Sequence, residues 1–470
     1  MFAYLRRQPA GFYRHLWTLS APIVLQNLIT TSLGFMDTFM VGLLGNEQMS
    51  AVTLANVPVF ILQLLVFGLQ SGSSVLISQY WGRQDLKNIN RVLGVGFWVA
   101  GGISLLTASV LFFQSHAVMA LITNNAALQA LGAPYLRLVG VSYVFNSLTS
   151  IYVGAHRSIE HPQLGAAVFG VSMLLNTGLN YVLIFGKFGA PALGVTGAAI
   201  ATLTARVAEF LITLVCALRS RLLPLDFAAI LRPGWSTLRS FIRYSVPVVC
   251  NETLWGTGNS MFSVIMGHMA NSTEMVAAYT IVGYVDKFST VFLFGFASAA
   301  AVVVGKATGA GEDRDHIYDI GRTLNAISVG SGLLVSLVLI GLLPLFLRPV
   351  VFPLFKLSER GVYIASIMLL FNAFAFPLRS LDTTNIVGVF RGGGDVRGAL
   401  LIDVSPLWLA AVPAMALAAL VLELDVVWVC AALYFVESMV KCPIGLWHLR
   451  SRRWIRPIHQ RPPAEPKTAG

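Results

Sequence analysis

The stretch LRSRLLPLDFAAILRPGWSTLR, residues 218–239, is the longest polar interruption in a chain of 470 residues. On either side of it lie six apolar segments. Those before it fall near 16–43, 50–78, 92–114, 132–155, 167–187 and 194–218. Those after it fall near 240–268, 275–304, 321–347, 362–389, 399–421 and 426–449. An α-helix needs about 20 mostly apolar residues to cross about 30 Å of hydrocarbon, so each segment predicts one crossing. The chain is 56% apolar and 11% charged, against about 25% charged in soluble proteins. A water-soluble fold is excluded. The expectation is an all-α integral membrane protein with twelve transmembrane helices, in two pseudo-symmetric six-helix bundles around a central cleft. Its parts are an N-terminal segment 1–15, a first lobe 16–218, a linker 219–239, a second lobe 240–449 and a basic tail 450–470.

The net charge of +11 could signal a nucleic-acid ligand, but the basic residues fill short gaps between apolar runs. The pattern is one of topology, and no nucleic-acid partner is expected. Of the 32 Lys and Arg, 23 fall on the side of the termini, 4 (Lys187, Arg348, Lys356, Arg360) on the other, and five inside segments. Short basic loops resist translocation, so both termini are expected in the cytoplasm. The first apolar run, from Leu16 to about Leu44, is too long for the core of a signal peptide and is expected to remain as a membrane helix. Cys216, Cys250, Cys430 and Cys442 form no CxxC or Cys/His cluster, so neither a disulfide framework nor zinc is expected.

The halves repeat one another in order. Ser20-Ala21-Pro22-Ile23-Val24 matches Ser245-Val246-Pro247-Val248-Val249, Met49-Ser50-Ala51 matches Met275-Val276-Ala277, Gly82 with Asp85 matches Gly309 with Glu312, and Val153-Gly154 with Arg157 parallels Val387-Gly388 with Arg391. Each copy begins and ends on the same side, which predicts parallel repeats about an axis along the membrane normal.

Gly305-Lys306-Ala307-Thr308 lacks the spacing and hydroxyl of a phosphate-binding loop, and there is no HExxH or GxSxG. No enzyme activity is expected, so work would come from an ion gradient or passive flow. A charge inside a span is costly and marks function by default. Asp37 and Glu252 stand out, one per half, with Asn176, Asn180 and Thr202 as candidate neighbours of Asp37. At helical spacing Glu252, Trp255 and Asn259 share a face, able to hold a proton or Na⁺ and alternately a lipophilic cation. The expected coupling-ion set is Asp37, Glu252, Asn176, Asn180, Thr202 and Asp382; Asn27 and Tyr284 complete the expected substrate cleft with Trp255, Asn259 and Asp286, and the roles of Asp286 and Asp382 are open between function and structure. Asp382 lies in the half-polar run Arg379-Ser380-Leu381-Asp382-Thr383-Thr384-Asn385, which suits a hydrated cavity. Arg206 with Glu209 and Glu437 with Lys441 read as mutually neutralising pairs. Arg137, Asp403 and His268 lie near span ends or among polar neighbours and suit packing roles.

The chain resembles the multidrug and toxic compound extrusion (MATE) family, bacterial branch. The matching stretches are Ala21-Pro22 through Asp37-Thr38-Phe39-Met40-Val41-Gly42, Leu175-Asn176-Thr177-Gly178-Leu179-Asn180-Tyr181, Gly194-Val195-Thr196-Gly197-Ala198-Ala199-Ile200-Ala201-Thr202 and Arg391-Gly392-Gly393-Gly394-Asp395. The resemblance implies exchange of an inward H⁺ or Na⁺ for an outward amphipathic, often cationic, compound, with Asp37 and Glu252 as coupling carboxylates. No cofactor beyond that ion is implied, and the expected state is a monomer in the bacterial inner membrane. Where some members carry Asp, this chain has Asn180; others place an Asp in the tenth helix, near Asp382. A flippase for a lipid-linked saccharide and a metabolite exporter are alternatives on the same scaffold; a channel or receptor suits twin halves less well.

Overall fold

The computed structural model describes residues 8–355 and 357–458. Of the basic residues counted above, Arg6, Arg7, Lys356, Arg461 and Lys467 lie outside the described residues. Among the described residues, twelve helices reach membrane-spanning length. They are α1 (Ala10–Gly42), α2 (Asn46–Gly82), α3 (Leu86–Phe113), α4 (Ala126–Ser158), α5 (Gln163–Phe185), α6 (Gly194–Arg219), α7 (Trp235–Gly267), α8 (Ser272–Ala310), α9 (Arg314–Leu354), α10 (Glu359–Phe390), α11 (Val396–Val421) and α12 (Val426–Ser451). Eleven are long and apolar enough to cross a membrane. The exception is α7, whose middle carries Asn251, Glu252, Thr253, Thr257, Asn259 and Ser260. Large apolar side chains such as Leu105, Leu106, Leu333, Leu334 and Leu337 point outward, as a hydrocarbon solvent requires. The chain is a multi-pass membrane protein.

Within the first lobe α4 packs on α2, α3 and α6, and α5 on α1 and α6; within the second, α10 packs on α8, α9 and α12. The lobes meet through α1 and α2 against α7 and α8, and the contacts are two-fold related. A Cβ built on Gly68 of α2 would lie 2.6 Å from Val249 of α7, and one on Gly295 of α8 would lie 2.5 Å from Val24 of α1. Near the ends of α2 and α8 a Cβ on Gly82 would fall 2.2 Å from the Lys306 carbonyl oxygen, and one on Gly309 2.0 Å from that of Gln79. The repeat partners read from the sequence therefore touch across their own axis. Only glycine permits backbones this close. The helix cap that follows differs by one residue: Asp85 accepts from the Asn88 N–H at the start of α3, whereas its counterpart at α9 is Asp313, not Glu312.

Two boundaries move. The stretch read as a linker contains a short helix, Phe227–Leu231, packed on α3, and α7 already begins at Trp235. The stretch read as a basic tail starts with a strap in which Trp454 is fully buried. There the Arg456 N–H donates to the Gly393 carbonyl (2.7 Å) and the Ile458 N–H to Gln79 Oε1 (2.9 Å), so the strap runs from α12 across to α2. Burial of the indole outweighs the solubility of the surrounding arginines.

Glu160, in the turn after α4, ties the lobes at this same end. It accepts from Lys306 Nζ (2.6 Å), from His15 Nε2 (2.8 Å) and from Trp81 Nε1 (3.2 Å). Burial alone would raise its pKa, but these three donors outweigh burial and hold the carboxyl below its ordinary value. A depressed pKa contributes stability that is present above the unfolded value, about 4.3, and is lost as pH falls through the folded one. With Lys306 42% exposed, the contribution should be about 0.5–1 kcal/mol. Glu160→Gln should lower the unfolding temperature at pH 7, and that deficit should shrink as the pH falls below about 4.3; a deficit that does not change with pH would show that charge is not involved.

Candidate functional site

A cavity of about 530 Å³ lies inside the second lobe, within the roughly 300–1,000 Å³ typical of small-molecule sites. Glu252, Trp255 and Asn259 reach it from α7, Tyr284, Asp286 and Lys287 from α8, Arg379 and Asp382 from α10, and Glu437 and Lys441 from α12; Asp403 of α11 and Arg391 close it. Pro247 and Pro377 interrupt α7 and α10 nearby, and α10 ends in a π-helical segment, Thr384–Phe390. Such irregular turns rearrange backbone hydrogen bonds and are tolerated at membrane depth where they line a polar hollow.

Five carboxylates and four cations line this space, and all but two of them are paired. Arg391 Nη1 engages Glu252 at 2.9 Å. Arg379 grips Asp286 through two nitrogens, at 2.7 and 3.1 Å, and Asn372 donates to the same carboxylate at 2.9 Å. Lys441 bridges Asp403 (2.6 Å) and Glu437, and Asn251 donates to Asp403 at 2.6 Å. The two left over are Lys287, which is exposed and lies over the Tyr284 ring, and Asp382. Asp382 is 6% exposed, and its Oδ2 has no hydrogen-bond partner. It is the cavity's carboxylate without an ion-pair partner among the described residues.

The first lobe holds a second cluster. Asn180 Nδ2 donates to Asp37 Oδ1 at 2.5 Å and to Asn176 Oδ1 at 3.0 Å, and Asn176 Nδ2 donates to Thr202 Oγ1 at 3.3 Å. Asp37 of α1, Asn176 and Asn180 of α5 and Thr202 of α6 are thus joined in one chain. One turn beyond Thr202, Arg206 pairs with Glu209 at 2.7 Å, as their spacing predicts.

Several expectations change. The cavity is within a lobe, so Asn27 of α1 does not line it, although Trp255, Asn259, Tyr284 and Asp286 do. Asp37 does not reach it either, and the two candidate carboxylates occupy separate sites. Glu252 is not solitary; its partner Arg391, counted above as a loop charge, is 2% exposed. The π-helical segment carries α10 to Phe390 and brings Arg391 inward. The repeat match with Arg157 is the sequence feature that marks Arg391 as more than a loop charge. Asp403, read as a packing residue, belongs to the network through Lys441.

Two six-helix lobes about an axis normal to the membrane, each with ionisable groups buried in its interior, define a secondary-transporter architecture. The family profile MatE matches residues 22–182 and 247–417, one block in each lobe. The chain belongs to the MATE family. It is similar to the probable multidrug resistance protein NorM of Thermotoga maritima, 25% identical over 85% of this chain and 84% of that one. The NorM protein of Bradyrhizobium diazoefficiens is 29% identical over 84% of both chains. Among solved structures, a MOP superfamily transporter from Pyrococcus furiosus superposes with a TM-score of 0.83 at 19% identity, covering 96% of this chain and 97% of that one. An outward-facing multidrug resistance MATE transporter gives 0.82 at 18% identity, covering 96% and 98%.

Proposed function

We propose that the protein is a secondary active multidrug antiporter of the bacterial inner membrane, with cytoplasmic termini, exchanging inward H⁺ or Na⁺ for outward amphipathic, often cationic, compounds. The observation that carries this is Asp382: an unpaired carboxylate in a cavity walled by Trp255, Tyr279, Tyr284 and Tyr434. A lipophilic cation gains ring contact and charge neutralisation in the same place. The names of the NorM relatives support the same class of cargo.

In this scheme the lobes, closed here at the end bearing the termini, expose the cavity to the outside. An entering ion is taken by the carboxylate set and displaces cargo. Glu252 is held by Arg391 and can release it when it takes an ion; Asp37, hydrogen-bonded by Asn180, offers a second station in the first lobe. Coupling needs each ligand to favour one arrangement of the lobes. The protein would act as a monomer, since each lobe holds its own site.

The test is dye efflux from everted vesicles with proton and sodium gradients imposed separately. Saturable efflux that follows one gradient supports exchange and names the ion; flux independent of both gradients, or currents far above carrier turnover, would overturn it. Asp382→Asn should remove most of the uptake of a cationic dye and leave the fold intact, because it breaks no ion pair and the amide keeps an oxygen for the contacts with Ser438 and Cys442. Unchanged cation transport would remove Asp382 from the cargo site.

A further inference from the structure

Arg157 and Arg391, equivalent in the two repeats, converge on one small cavity between the lobes. It measures about 40 Å³, and Gln70, Ser71, Ser74 and Ser298 share its walls. Arg391 uses Nη1 on Glu252 (2.9 Å) and on Ser71 Oγ (3.4 Å), while its Nη2 has no hydrogen-bond partner. Arg157 Nε is likewise buried without a partner, and no acidic group among the described residues pairs with Arg157. Two guanidinium charges less one carboxylate leave one positive charge uncompensated. Glu252 itself lines the larger cavity and not this one. An interior charge with no counter-charge is strongly unfavourable, and removing it from water makes pairing the expected resolution.

We propose that this interlobe cavity binds one small monovalent anion of the chloride class. Apolar side chains such as Phe67, Val75, Val302 and Val387 form much of the wall, and the polar groups among them, guanidinium N–H groups, serine hydroxyls and the Gln70 amide, can all donate. The volume suits the same conclusion. Holding one water takes about 10–15 Å³ on this measure, so about 40 Å³ has room for a compact anion with a water or two and is too small for a lipid headgroup. One guanidinium comes from each lobe, so the anion grips both when this end is closed and only one when it opens. It therefore stabilises the closed arrangement by its differential affinity. The site acts independently of which ion or cargo is exchanged, and binding can be read without transport.

The test is thermal unfolding of the purified full-length protein in sodium chloride and in sodium gluconate at matched ionic strength. Chloride should raise the unfolding temperature saturably, by about 2 °C or more, and glycerophosphate should not. Arg157→Gln should abolish that increment while unfolding in gluconate no earlier than the wild type, because the uncompensated charge is gone. Arg157→Lys, which keeps charge but loses the fork, should shift the chloride midpoint upward by about tenfold. No increment in the wild type, an undiminished one in Arg157→Gln, an unmoved midpoint in Arg157→Lys, or stabilisation by glycerophosphate in place of chloride would each overturn the proposal.

Discussion

Glu252→Gln should abolish gradient-driven efflux while the protein still inserts and folds. The amide oxygen can keep the hydrogen bond from Arg391 Nη1, now 2.9 Å from the carboxylate, but it can neither release a proton nor balance the guanidinium. Arg391 is 2% exposed, so the lost counter-charge should also lower stability. Full removal in Glu252→Ala should cost about 3–5 kcal/mol, the range for stranding one partner of a buried ion pair. Transport loss could then be blamed on unfolding, and the double variant Glu252→Gln/Arg391→Gln separates the two. It should recover most of the stability, since the stranded charge is gone, and recover none of the coupled transport. Efflux restored along with stability would reduce Glu252 to a structural role. Dye efflux under an imposed gradient, read beside thermal unfolding of each variant, distinguishes the outcomes.

The twelve-helix layout was legible because the bilayer imposes a length of apolar sequence on every crossing, and the Leu218–Arg239 interruption marks the division into halves. The pairing of Asp37 with Asn180, and of Asn180 with Asn176, was also within reach: Asn176 and Asn180 are four residues apart on one helix, and intramembrane amides seek partners. The charge network of the second lobe was not. Arg379 meets Asp286 across 93 positions, Lys441 meets Asp403 across 38, and Arg391 meets Glu252 across the bundle. Helical spacing carries no information about such distant partners. The Glu437–Lys441 pair, four apart, was visible, while the third member was not. Arg391 escapes the sequence for a further reason: it stands two residues past the apolar segment 362–389, whose end agrees with Phe390 within a residue, and composition does not show that a charge at a helix end is buried.

Gly309→Val should force the lobes apart at the end bearing the termini. A Cβ there would sit 2.0 Å from the Gln79 carbonyl oxygen and 2.4 Å from its Cα, both backbone atoms that no rotamer change can clear. Either α2 moves or the crossing opens. Moving α2 would disturb its packing on α4 and α7, whereas opening the crossing breaks mainly the contacts that alternating access must break anyway. Overpacking of about 1–3 kcal/mol would shift a two-state equilibrium by about 5- to 150-fold, enough to invert a modest preference for the closed form. Gly82→Val, clashing at 2.2 Å with the Lys306 carbonyl oxygen from the opposite helix, should do the same, because the two glycines are images under the repeat. Spin labels at Gln84 and Gly311 would report a longer separation in both variants, and transport would fall although unfolding stays cooperative. If the separation and the transport rate both held, the Gly82–Gly309 crossing could not be the place where the lobes part.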